Sequence, residues 1–107
     1  MKYIKYYEHS IKDELQINNF VSCREDSNET DINLKNYIKD NIGKIFKYNP
    51  RADQYLIEFN YAPDNLKGRF TKRNGKYLRW FSIDNIVEFD KSIDKLKLKI
   101  QSNKFNI

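Results

Sequence analysis

The chain of 107 residues has one cysteine, one histidine, three glycines and two prolines, and its apolar runs are only a few residues long. Each shortage closes a route. A lone cysteine, Cys23, excludes an intramolecular disulfide and any zinc or redox motif built on a cysteine pair, and it suits a reducing compartment, so a cytoplasmic location is expected. The one histidine, His9, stands beside Glu8 and near Asp13 in a polar stretch, which favours a surface residue over a catalyst. Short apolar runs fall well below the roughly 20 residues a membrane-spanning helix needs, and Met1-Lys2-Tyr3-Ile4 is too polar to open a signal peptide. Scarce glycine and proline shift the burden of turning the chain onto Asn and Asp, whose side chains close local turns and tolerate left-handed backbone. The abundance of Asn, Lys, Ile and Tyr suggests a low-GC bacterial or phage source.

What is present is charge, and it is unevenly placed. The net charge is +5. Lys67 to Arg79 reads KGRFTKRNGKYLR, with six cations (Lys67, Arg69, Lys72, Arg73, Lys76, Arg79) and no acid, so this segment alone accounts for the excess. Glu8 to Asp31 is its counterpart, with Glu8, Asp13, Glu14, Glu25, Asp26, Glu29 and Asp31 facing only Lys12 and Arg24. A local cationic patch carrying aromatics suits a phosphate-bearing or acidic partner.

Periodicity and turn chemistry give an order of elements within a single domain over residues 1–107. Residues 1–8 are compatible with a strand or a short helix. Ile17 to Arg24 reads as a strand, Glu25 to Asp31 as a polar loop, and Asp31 to Asn41 as a short helix with Leu34 and Ile38 on one face. Gly43 to Tyr48 and Gln54 to Asn60 form a hairpin around Asn49-Pro50-Arg51-Ala52-Asp53, with Tyr55, Ile57 and Phe59 on one side. Tyr61 to Lys67 is expected to be an exposed loop. Arg69 to Arg73 and Lys76 to Phe81 form a second hairpin around Asn74-Gly75. Ser82 to Asn85 reads as one helical turn capped by the serine, and Ile86 to Phe89 as the closing strand. The 91–107 tail fits a strand or a helix and is assigned a helix capped by Ser92.

The strand starting Gly43-Lys44-Ile45, the strand Tyr55-Leu56-Ile57-Glu58-Phe59, the arginine-rich strand ending Arg79-Trp80-Phe81 and the helical turn before the last strand together resemble the small Src-homology-3-like barrels, including KOW and Tudor-like modules. The resemblance covers roughly residues 17–90. It implies a mainly β domain with short helices (α+β): a small barrel with N- and C-terminal extensions. The chain departs from the KOW pattern, since Gly43, Gly68 and Gly75 are its only glycines. Tyr48, Tyr55, Tyr61 and Trp80 are candidates for a Tudor-like aromatic cage, without a cage spacing.

A two-residue turn at Asn74-Gly75 pairs Arg73 with Lys76, Lys72 with Tyr77, Thr71 with Leu78, Phe70 with Arg79 and Arg69 with Trp80. Alternation then separates Phe70, Lys72, Tyr77 and Arg79 from Arg69, Thr71, Arg73, Lys76, Leu78 and Trp80. Leu78 and Trp80 are expected to face the core. That leaves Phe70 and Tyr77 as stacking platforms among Lys67, Arg69, Lys72, Arg73, Lys76 and Arg79. The same charges would equally keep a barrel edge soluble. Cys23, next to Arg24, fits a small buried side chain better than a reactive thiol. The pairs Asp13-Glu14 and Glu25-Asp26 fit a solvated face better than a metal or acid-base site. The expectation is a non-enzymatic module with no cofactor, no metal and no membrane partner. Its partner is nucleic acid, DNA or RNA, bound without sequence preference, or a nucleic-acid-associated protein. An alternative is a phage or mobile-element inhibitor that blocks a host defence nuclease complex, in the manner of an anti-CRISPR protein.

Overall fold

The computed structural model describes residues 15–105. The segment 1–8, His9 and the Asp13-Glu14 pair lie outside the described residues. Within them, turn formation falls to Asn and Asp: the non-glycine residues with positive φ are Asn18 (75°), Asp53 (52°) and Asn74 (51°). Gly75 follows Asn74 at φ 78°, so both central residues of this turn are left-handed. That is the type I′ geometry whose twist matches the flanking strands.

The chain runs β1 (Phe20–Cys23), α1 (Ile32–Asp40), β2 (Ile42–Asn49), β3 (Gln54–Phe59), a 3₁₀ helix (Asp64–Arg69), β4 (Thr71–Arg73), β5 (Lys76–Ser82), a 3₁₀ turn (Ile83–Asn85), β6 (Ile86–Asp90) and α2 (Ile93–Phe105). The six strands form one antiparallel sheet in the order β4-β5-β3-β2-β1-β6. The α+β class is as expected, and the domain is compatible with a small β-barrel-like fold. The sheet is not closed, however: β4 and β6 are its two edges. The residues expected to be an exposed loop and the start of a strand form the Asp64–Arg69 3₁₀ helix instead, which puts Leu66 at 2% exposure, with Ala62 before it at 0%. β4 is only three residues long.

Helix α1 begins at Asp31, whose Oδ1 accepts from the Asn33 and Leu34 amides at 3.0 and 3.2 Å, satisfying two of the donors a helix start leaves open. Leu34 and Ile38, one turn apart, are both 0% exposed and fasten the helix to the sheet. They meet Val21, Ile45, Ile57 and Phe59 in the core cluster. Gly43 is glycine for want of space: a Cβ there would lie 2.3 Å from Ile57 Cγ2. Helix α2 starts after Ser92, whose Oγ accepts from the Lys95 amide at 3.4 Å. It packs on β6 and β1 through Leu96, at 0% exposure. Leu98, which a strand would have placed beside Leu96, is 65% exposed. The 3₁₀ turn after β5 lacks the expected cap, because the Ser82 side chain makes no capping hydrogen bond. Cys23 is 2% exposed, and burial, reinforced by the nearby Glu25, pushes its thiol pKa well above the usual range, which leaves it unreactive.

Candidate functional site

The six cations of Lys67–Arg79 divide into a root, where the hairpin leaves the body of the domain, and a tip. At the root, Arg79 grips Glu25 with two parallel bonds, Nε to Oε2 at 2.8 Å and Nη2 to Oε1 at 2.9 Å. Its Nη1 donates to the Arg69 carbonyl at 2.8 Å. Arg69 reaches Glu29 Oε1 at 2.6 Å and Asp31 Oδ2 at 3.3 Å. Planar guanidinium groups suit such forked pairing. Asn85 adds a 2.7 Å bond to Asp26, and Arg24 donates to the Asp84 carbonyl at 3.1 Å. The acidic loop expected to be a solvated face is therefore a clasp holding β5, the 3₁₀ helix and the start of α1 together. The charge environment follows: the Asp31 amide and then the Arg69 guanidinium hold the Glu29 carboxyl below its ordinary range, and Glu25 raises the Arg79 pKa.

The β4–β5 register is the expected one for Thr71↔Leu78, Lys72↔Tyr77 and Arg73↔Lys76. Phe70 and Arg69 precede β4 and do not extend the ladder. The faces are reversed. Tyr55↔Phe81, Ile57↔Arg79 and Phe59↔Tyr77 are paired across β3 and β5, so Tyr77, Arg79 and Phe81 share the side of the core residues Tyr55, Ile57 and Phe59. Tyr77 is 8% and Phe81 3% exposed. Phe70 is half-buried in a ring cluster, 5.8 Å from Tyr37 and Phe59 and 6.4 Å from Tyr77 between centroids. The side expected to face outward thus faces inward, and Trp80 is 41% exposed on the other. The cause is the clasp. Arg79 can occupy the core-facing phase of β5 because Glu25 partners it.

The outward side carries in-register rows. Lys47, Leu56 and Trp80 form one across β2, β3 and β5; Lys44, Glu58, Leu78 and Thr71 form the next, reaching β4. Beyond them, Lys76 donates to Asn60 Oδ1. A bulge between Ile45 and Lys47 leaves Phe46 as an extra residue, 39% exposed. The Arg73 guanidinium lies 5.9 Å from the Phe46 ring centroid, although β5 and β3 stand between their strands, so the sheet coils over this side. Leu56 and Leu78, in the rows between, are only 9% and 5% exposed. Lys67 pairs with Asp64 at 2.7 Å, and Lys72 lies over the Tyr77 ring at 5.9 Å. Among the described residues, Lys47, Lys72, Arg73 and Lys76 have no carboxylate partner. Lys44 has one, Glu58, at 3.9 Å.

Of the residues singled out from the sequence, Lys72, Arg73 and Lys76 gather at the tip with free charge. Arg69 and Arg79 are engaged at the root, Phe70 and Tyr77 are turned inward, and Lys67 is paired with its neighbour. Phe46, Lys47 and Trp80 were missed as surface residues. The Tyr55-Ile57-Phe59 alternation, extended across to Tyr77 and Phe81, would have placed Trp80 outside, whereas the bulge that exposes Phe46 has no signature in the sequence. The candidate cage does not assemble: Tyr55, at 4% exposure, stacks on Tyr48 at 4.7 Å on the inner side, while Trp80 is on the outer.

Comparison with protein-family models, curated proteins and solved structures finds no match. No helix among the described residues is long and apolar enough to cross a membrane, and those residues contain no group of three or more potential metal ligands.

Proposed function

We propose that the protein is a non-enzymatic binding module that engages nucleic acid through the outward side of β2, β3 and β5 and the tip of the β4–β5 hairpin. The observation that carries this reading is the exposed Trp80 on the same side of the sheet as Lys47, Arg73 and Lys76, which have no carboxylate partner among the described residues, with Lys72 at the hairpin tip on the Tyr77 side. Side chains of this kind supply the two terms of such binding, phosphate neutralisation and ring contact. The antiparallel strand order and the 3₁₀ turn before β6 support reading the domain as an open variant of the Src-homology-3-like barrels, which leaves function to the site. The acidic 25–31 loop is occupied by Arg69 and Arg79, so it adds little to the alternative of a nuclease inhibitor that would use its acidic side.

Titration of labelled DNA and RNA oligonucleotides at several salt concentrations tests this. Binding is expected at low salt and should weaken as salt rises, with a log-log slope of about 0.7–0.9 per phosphate contacted. Absence of binding at low salt contradicts it.

A further inference from the structure

The arrangement of charge on the outward side bears on which form of nucleic acid fits. Its cations stand at the margins: Lys47 on β2, Arg73 on β4 and Lys76 at the start of β5. Between them the exposed aromatic surface is Trp80, with Leu56 and Leu78 buried beneath it and the Glu58 carboxylate, whose side chain is 15% exposed, paired with Lys44. Lys47 and Trp80 lie in one row with a single strand between them, which puts their backbones roughly 10 Å apart at normal strand spacing.

A duplex shows phosphates and groove edges to a sheet, while its base faces are stacked away. Laid on this surface it would bring phosphates over an indole and beside the Glu58 carboxylate, neither of which neutralises a phosphate charge. A single strand has the complementary layout, with phosphates on one side that can follow the marginal cations and unstacked bases that can turn onto the indole. We infer that the ligand of this surface is single-stranded nucleic acid, held by stacking of an unpaired base on Trp80 with the backbone phosphates against Lys47, Arg73 and Lys76. The Phe46 ring with the Arg73 guanidinium over it is the second platform. This rests on the nucleic-acid reading above.

Trp80 is the only tryptophan, so selectively excited tryptophan emission reports on this position alone. The test is to titrate the whole chain with oligodeoxythymidylate, and separately with a duplex of mixed sequence, recording tryptophan emission and the anisotropy of labelled ligand. Trp80→Ala is measured by anisotropy, with its fold checked by circular dichroism. The single strand is expected to quench Trp80 and to bind more tightly than the duplex. Trp80→Ala should weaken single-strand binding about tenfold, the loss of one stacked base, with Trp80→Phe restoring most of it. Equal or tighter duplex binding, with no quenching and an unaffected Trp80→Ala variant, overturns the inference while leaving nucleic-acid binding in place. No binding of either ligand at low salt removes both.

Discussion

The root and the tip of the β4–β5 hairpin come from one run of sequence with one composition, yet their cations do opposite work. Arg69 and Arg79 are held by Glu25, Glu29 and Asp31, three carboxylates 38 to 54 residues upstream, and contribute to the cohesion of the domain. Lys72, Arg73 and Lys76 lie past that clasp and have no carboxylate partner among the described residues, Lys72 and Arg73 being exposed and Lys76 hydrogen-bonded to Asn60. The difference lies in distance from the acidic loop, a property of the folded chain. A count of charges along the sequence overstates the binding surface, because the forked guanidinium groups that look most suited to phosphate are the ones the protein itself has bound.

If the root is structural, its loss should appear in stability. Arg79→Ala strands the Glu25 carboxylate, whose side chain is 7% exposed, and should cost about 2–3 kcal/mol in urea unfolding, below the range for a fully buried pair because Arg79 is itself partly exposed. An unchanged unfolding midpoint would place the clasp among surface pairs of little worth. Acid gives a graded version of the same experiment. Glu29 is held below its ordinary value of 4.5 by the Asp31 amide and Arg69, so folding favours its ionised form. Its stabilisation is full above that ordinary value and is lost as pH falls through the lower, folded-state value. Thermal midpoints should therefore fall on acidification below about pH 4.5, and Glu29→Gln should lower the midpoint at neutral pH and flatten the acid limb. At the tip the expectation is near-silence. The combined Lys72→Glu, Arg73→Glu, Lys76→Glu variant should unfold within about 0.5 kcal/mol of the parent, and a large loss would mean that these side chains also hold the fold.

Much of the architecture can be read before folding, because local chemistry decides it. Asn74-Gly75 demands a left-handed turn and fixes the register of β4 and β5, Asp31 caps α1, and Tyr55-Ile57-Phe59 marks an inward face. Two features cannot be read that way. The sidedness of β5 turns on a contact between Arg79 and Glu25 across 54 residues of sequence, and without it Leu78 and Trp80 look like the core side. The bulge at Phe46 depends on how β2 must bend over β3, which no single residue type signals. The 3₁₀ helix at Asp64–Arg69 lies between these cases: Pro63, Asp64 and Asn65 suggest a loop, and only the burial of Leu66 shows that the segment packs. The candidate site shares that error in sidedness: of its eight residues Arg73 and Lys76 are on the outward side and Lys72 is at the tip on the Tyr77 side, while Trp80, expected in the core, lies at the centre of the outward side.

The most direct measurement compares root and tip by function. Oligonucleotide affinity at low salt is measured for Arg69→Gln, which leaves the tip untouched, and for the Lys72→Glu, Arg73→Glu, Lys76→Glu variant, each confirmed folded under the assay conditions. The account predicts that the tip variant loses binding and that Arg69→Gln retains it. Binding lost with Arg69→Gln and retained in the tip variant would contradict the assignment of the root to structure and the tip to recognition.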